Sequence, residues 1–426
     1  MRTRTTAAAM LLCLSCSGDD NAADDAAGSS DGSTAAATGN DGRDDGQDDG
    51  QNDTTGPDSA TTGSESGPDP DGTGSSEGTD GTTEERPMEP GPVVVYVTDG
   101  NSALQLWSVD DDTGALTMQA SYDVGTGAAQ LAVHPDGLHL YATGRGGDGN
   151  RVIAYEIAAA DGTLTELGVT QLEIDPVYWS IHPSGNFGFS ASFGGDEIAS
   201  WEIAADYTVA NGAVTVLDSG DEPHAIVPHP GGSWVYVPHR GTNEIIQYSV
   251  DAASGALAAV DTVAATPGAG ARHLAFDAAG EHAYLANEFS DSVTHFTVDT
   301  TTGALTTMAT LPTIPNGFDP GANTCADVHV TPDGHAVYVS NRGHDSLAMF
   351  SVDAMTGVLT PLGEIDTEPV PREFEVDPTG RFVYSAGQGS GDMAGYTIDE
   401  AGSLSAGATV TIGGSPAWVL AVELPR

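Results

Sequence analysis

The sequence predicts an all-β fold, a seven-bladed β-propeller whose ring is closed by the C-terminal strand joining the N-terminal blade. Three observations predict it. From Val93 onward the chain repeats about every 47 residues, and two turn markers alternate through the repeats without a miss. The apolar runs between markers are short and no period of 3.6 residues persists, so strands are expected and almost no helix. The chain also enters and leaves in the middle of a repeat.

The first marker is a glycine closing an x-Pro-Asp-Gly-like turn. It occurs as His134-Pro-Asp-Gly137, His182-Pro-Ser-Gly185, His229-Pro-Gly-Gly232, Asp277-Ala-Ala-Gly280, Thr331-Pro-Asp-Gly334 and Asp377-Pro-Thr-Gly380. Proline second and glycine fourth suit a type I turn. The second marker is a Gly-x-Leu-type turn at Gly114, Gly162, Gly212, Gly255, Gly303, Gly357 and Gly402. Two markers per repeat give two hairpins, as in Val337-Tyr-Val-Ser followed by Leu347-Ala-Met-Phe-Ser-Val and the turn at Gly357. Four strands in a repeat of this length are the signature of a propeller blade. The seventh copy of the first marker is missing because Val93-Val-Val-Tyr96 is already a returning strand. Ser415-Pro-Ala-Trp-Val-Leu-Ala-Val422 is a descending strand with no turn after it. Together they complete one blade and remove the open edges that invite aggregation. The propeller is therefore assigned to residues 93–426.

Ahead of it, residues 1–16 read as a lipoprotein signal. Arg2 and Arg4 precede a short apolar core, and Cys16 is followed by Ser-Gly-Asp-Asp. Cys16 is the expected lipidation site. Residues 17–92 are nearly all Gly, Asp, Ser, Thr, Ala, Asn and Pro, with no aromatic residue. Such a segment cannot bury enough apolar surface to offset its entropy. It is expected to be a disordered acidic linker reaching roughly 50 Å. The expected location is the cell envelope, by lipid anchor, or the exterior as a secreted protein.

Composition narrows the class. The net charge is −50, about two thirds of it after residue 92, and all twelve basic residues are arginine. A domain this acidic does not bind nucleic acid through a general positive field. Only Cys325 lies in the folded part, so no internal disulfide can form there, and a small buried residue is expected. No cluster of His, Cys and acidic residues has metal-ligand spacing, so neither metal nor cofactor is expected. Asp110-Asp-Asp-Thr-Gly114 reads as a turn in preference to a calcium loop.

Reading one position around the ring exposes a site. Eight residues before each turn glycine stand Ala129, Val177, His224, Arg272, Ala326 and Arg372, with Ala417 from the C-terminal strand. Eight residues after it stand Arg145, Phe193, Arg240, Glu288, Arg342 and Gln388, with Gly100 in the entering blade. Hairpin geometry puts both positions at one end of every blade, hence on one face of the disc. Five of the eight arginines after residue 92 occupy them: Arg145, Arg240, Arg272, Arg342 and Arg372. A cross-strand pair between Arg272 and Glu288 would account for one arginine and leave four. An anion-binding mouth follows, fit for carboxylates or phosphates. His224 is the side chain suited to moving a proton; otherwise it is a structural or solvated histidine. Glu288, kept charged by its arginines, would orient a water or an arginine. Arg272 and Arg342 would hold an acidic group or a developing oxyanion. Arg372, Arg240, Arg145 and Gln388 complete the binding set. His134, His182 and His229 lie at the opposite end as turn residues.

Several of these stretches resemble the β-propeller lactonase family, of the 6-phosphogluconolactonase and carboxymuconate cyclase kind. They are Gly-x-Gly-Ala-Arg272-His-Leu-Ala-Phe with Tyr284-Leu-Ala-Asn-Glu288, Asp327-Val-His-Val-Thr-Pro-Asp-Gly334 with Tyr338-Val-Ser-Asn-Arg342, and Pro371-Arg372-Glu-Phe. The resemblance runs from Val93 to the C-terminus and is strongest from Gly268 to Tyr396. It departs from the family pattern at Ala271, Phe193 and His239-Arg240. It implies seven blades and an active site lined by His224, Arg272, Glu288 and Arg342. The leading expectation is an exported hydrolase of a lactone that carries an acidic group. The alternatives are a non-catalytic, surface-displayed binding propeller and a cycloisomerase of the carboxymuconate cyclase type. The expected partner is a small anionic molecule, with a membrane met only through the lipid anchor and the protein a monomer.

Overall fold

The computed structural model describes residues 91–426. The expected signal over 1–16, its lipidation site Cys16, and the linker over 17–92 except its last two residues lie outside the described residues. From Val93 onward seven four-stranded antiparallel sheets follow one another as the blades of a propeller. The first blade is composite, as expected. Trp418–Glu423 pairs with Val93–Thr98 in unbroken register, from Val93 opposite Glu423 to Thr98 opposite Trp418. Ala103–Val109 and Leu116–Asp123 complete that blade. The innermost strands of the other six, in order, are Ala128–Val133, Tyr178–Ile181, Val227–Pro228, Ala271–Phe276, Thr324–Val330 and Pro371–Val376. Among the described residues the only helical element is the 3-10 turn Pro320–Ala322, in the long connection into the sixth blade.

Burial follows position in the blade. The second strands, such as Val93–Thr98 and Phe382–Gly387, are buried along their whole length. Both faces of these strands pack against neighbouring blades, which is why they read as continuous apolar or small runs. The outermost strands, such as Leu404–Thr411, are largely exposed. The apolar core is divided accordingly into seven clusters, each shared by two adjacent blades.

Polar clasps link the blades across these clusters. Six blades carry a tyrosine in the second strand. Tyr96, Tyr236, Tyr284 and Tyr338 each donate to the carbonyl of the next blade's second-marker glycine: Gly162, Gly303, Gly357 and Gly402. Tyr384 of the last blade donates to Gly114 of the first, closing the circle (3.1 Å). Tyr141 reaches Tyr207 O instead, and the third blade has Phe189 at this place. Gly114 is held at φ +69°, and a Cβ there would lie 2.5 Å from the Phe382 ring, so both its conformation and its contact require glycine. The His-Pro turns make a second set of clasps: the rings of His134, His182 and His229 bond the carbonyls of Gly185, Gly232 and Gly280. These histidines are turn residues, as expected. Asp110 likewise caps its own turn, accepting from the backbone and hydroxyl of Thr113.

Tyr284→Phe removes one buried clasp and strands the Gly357 carbonyl, since Tyr284 is fully buried. The expected loss of unfolding free energy is about 1–3 kcal/mol, read as a shift of the denaturant midpoint. An unchanged midpoint would show that the clasps are incidental to ring closure.

Candidate active site

At one end of the disc the innermost strands lose regular pairing, and the site is built there. In the fifth blade Ala271 pairs with Asn287 and His273 with Ala286, so Arg272 is the extra residue of a bulge. In the seventh, Pro371 pairs with Gly387 and Glu373 with Ala386, which leaves Arg372 extra. In the sixth, the register jumps between Cys325 and Val328, passing Ala326 and Asp327. A bulge breaks the in–out alternation and re-aims side chains. Consecutive residues such as Arg272 and His273 can then both serve one site.

Glu288 is its centre. Arg342 Nη2 lies 2.5 Å from Glu288 Oε1, Arg240 Nη1 3.4 Å from the same oxygen, and Arg272 Nε 3.9 Å from Oε2. Three arginines from three blades thus converge on one carboxylate that is 1% exposed. Burial opposes the charge of Glu288, but Arg342, Arg272 and Arg240 outweigh it and hold the carboxyl below its usual range. Arg272 is itself fully buried. Its Nη1 donates to Ala326 O, and its Nη2 lies 3.6 Å from Glu373 Oε1. Neither Nε nor Nη2 of Arg272 has a hydrogen-bond acceptor in the protein. Arg372 is partly exposed, with Nε 3.8 Å from Glu373.

His224 is set just ahead of the two-residue inner strand of the fourth blade, its backbone N–H bonded to Pro238 O. Its ring is buried, meets Phe193 and His273 edge-on, and leaves Nδ1 without a partner. Burial first, then Arg272, His273 and Arg372, push its pKa well below the ordinary value. The ring is therefore neutral, with a lone pair available at neutral pH.

The arginine face is more nearly neutralised than five cations suggest. Arg145 is paired with Asp175, its Nε 3.0 Å from Oδ1. Arg240 also holds Glu222, and its guanidinium lies between the rings of Phe193 (4.4 Å) and Phe289 (5.2 Å). Gln388 is half-buried, bonded through its backbone to Val370 O, and sends no side-chain hydrogen bond to the cluster. Cys325 is a buried free thiol, pushed up to about 12 chiefly by burial. Its carbonyl takes a bond from Arg342.

Sequence reasoning missed a second ring. One position closer to each turn glycine stand Gln130, Tyr178, Ala225, His273, Asp327, Glu373 and Trp418. Tyr178, His273 and Trp418 belong to non-adjacent blades, yet their rings meet at 5.3–6.3 Å. They can do so only by reaching across the axis, so this ring fills the central channel. His273 Nδ1 lies 2.8 Å from Asp327 Oδ1, and His329 Nε2 lies 2.9 Å from Asp327 Oδ2. Burial and Arg272 push His273 down to about 4, whereas burial and Asp327 push Glu373 up to about 8. The signal was present in the repeat at one register from the position that was read.

Blade number and ring closure define a seven-bladed propeller closed by its C-terminal strand. The chain belongs to the family described as Lactonase, 7-bladed beta-propeller, whose model matches residues 93–421. It is 33% identical over 330 residues to a 6-phosphogluconolactonase of Serratia proteamaculans (strain 568), covering 76% of this chain and 98% of that one. A 6-phosphogluconolactonase of Pectobacterium carotovorum subsp. carotovorum (strain PC1) is 34% identical over 338 residues, covering 78% and 99%. Among solved structures, the periplasmic gluconolactonase PpgL of Pseudomonas aeruginosa superposes with a TM-score of 0.71 at 27% identity, covering 79% of this chain and all of that one.

Proposed function

We propose that this protein hydrolyses a lactone carrying an acidic group, and that it does so at the arginine face. The observation that carries the reading is the convergence of Arg240, Arg272 and Arg342 on buried Glu288, beside the neutral ring of His224. Glu288, held ionised by three cations, is a poor base and fixes the arginines in place. Arg272, with two nitrogens lacking an acceptor, faces the carbonyl oxygen where negative charge develops. Arg372 and Arg342 take the acidic group. His224 takes a proton from water as its oxygen bonds to the lactone carbonyl carbon. The ring C–O bond then breaks, and the proton passes to the departing alkoxide, leaving the open hydroxy acid. The relatives named gluconolactonase and 6-phosphogluconolactonase support a sugar lactone, and the one named periplasmic supports export.

Purified protein is to be assayed on a panel of aldonolactones with and without a carboxylate or phosphate. His224→Ala is expected to lower kcat on the best substrate by about 10²–10⁴-fold, with the melting temperature of the same sample nearly unchanged. Equal kcat in parent and variant would remove His224 from the mechanism. No turnover on any lactone by the parent would remove the hydrolase.

A further inference from the structure

The mechanism above leaves His273, Asp327 and Glu373 unused, although all three are buried at the axis. One ligand-type atom from each lies within 4.8 Å of the other two. His273 Nδ1 is 2.8 Å from Asp327 Oδ1 and 4.0 Å from Glu373 Oε2. Ligand atoms about 2.1 Å from one ion stand about 3.0–3.4 Å apart, so small side-chain shifts would bring all three onto a common centre. Glu373 is 3% exposed, yet Oε2 accepts no hydrogen bond from the protein. Two buried carboxylates facing each other repel unless a proton or a cation lies between them, and a cation that displaces the proton could be held by both. The remaining oxygens turn outward, Asp327 Oδ2 to His329 and Glu373 Oε1 towards Arg272 and Arg372. Metal-binding carboxylates are commonly braced in this way.

We propose that His273, Asp327 and Glu373 form a binding site for a first-row divalent cation such as Zn²⁺, tying the fifth, sixth and seventh blades together at the axis. The donor set decides the class of ion. One imidazole and two carboxylate oxygens are too few for Ca²⁺, which takes six to eight oxygens. The nearby guanidiniums dilute the site's negative charge and penalise ions held by charge alone. What remains is an ion with affinity for imidazole nitrogen. The contributing residues lie 54 and 46 positions apart in the chain (273 to 327, 327 to 373), so no local motif could announce them. The proposal runs against the expectation, drawn from ligand spacing, that the chain has no metal site. It stands independently of the lactonase reading.

The test uses the full chain, stripped with a chelator and dialysed against limiting Zn²⁺ in excess Ca²⁺, which competes for any site made of carboxylates alone. Metal content and thermal unfolding are then measured. The parent is expected to retain one more equivalent of Zn²⁺ than Glu373→Gln, and only the parent should gain melting temperature with Zn²⁺. Affinity in Glu373→Gln should fall by at least about tenfold. His139→Ala, which breaks the His134–Asp136–His139 group on the opposite face, should behave like the parent. Loss of the extra equivalent in His139→Ala, equal retention in parent and Glu373→Gln, or no Zn²⁺-dependent shift in the parent would each overturn the proposal. Should Glu373→Gln fail to fold, Co²⁺ bound to the parent decides: intense visible bands report a four- or five-coordinate ion, as three protein ligands and water would give, and the weak bands of a six-coordinate, largely hydrated ion reject the site.

Discussion

Glu288→Gln is expected to lower the unfolding free energy by about 3–5 kcal/mol, because it removes the one charge shared by three guanidiniums. The substitution keeps the shape of the side chain, so the loss reports charge. Arg272 is fully buried and Arg342 is 8% exposed, so neither can recover its lost partner by turning to water. The dependence on pH has a definite sign. The folded pKa of Glu288 lies below its ordinary value, so its contribution is present above the unfolded-state pKa and is lost as pH falls through the folded value. Parent and variant should therefore differ most at neutral pH and converge in acid. Denaturant unfolding of both at several pH values measures this. A gap under about 0.5 kcal/mol at neutral pH would mean that the ion cluster adds almost nothing to the fold.

Ending the chain at Gly414 should abolish cooperative unfolding altogether. The deletion takes away the innermost strand of the first blade, with buried Val419, Leu420, Ala421 and Val422. The three larger side chains account for about 5–9 kcal/mol by burial, against a total stability of about 5–15 kcal/mol for typical domains. It also opens Val93–Thr98 as an unpaired edge and strips both adjoining core clusters. Removing only Pro425 and Arg426, both exposed, should leave the transition intact. Calorimetry distinguishes the two. A sharp transition in the longer deletion would show that six blades and three strands suffice.

The architecture was legible because it is written in the period. The turn glycines at 137, 185, 232, 280, 334 and 380 fix the hairpins, and the half-repeats at either end predict the composite blade. The meeting of Arg240, Arg272, Glu288 and Arg342 was legible for the same reason, since one register of a repeat maps to one end of a disc. What escaped was local irregularity. A bulge at Arg272 or Arg372 has no sequence signature of its own, and without it His273 and Glu373 look like residues of the opposite face. Asp175 and Glu222 come from connections outside both markers, so the pairing of Arg145 and Arg240 could not be read from the ring positions. The clasps from tyrosine to glycine carbonyl were hidden because a backbone acceptor leaves no residue type to notice.

Ring closure also has a mechanical side. Val93–Thr98 is hydrogen-bonded to Trp418–Glu423 on one flank and to Ala103–Val109 on the other. A pull on the chain at residue 91, directed along that strand, must shear two ladders at once. The same pull on a rim strand such as Leu404–Thr411, bonded on one flank only, shears a single ladder. Load applied at residue 91 is thus carried by a strand gripped from both sides.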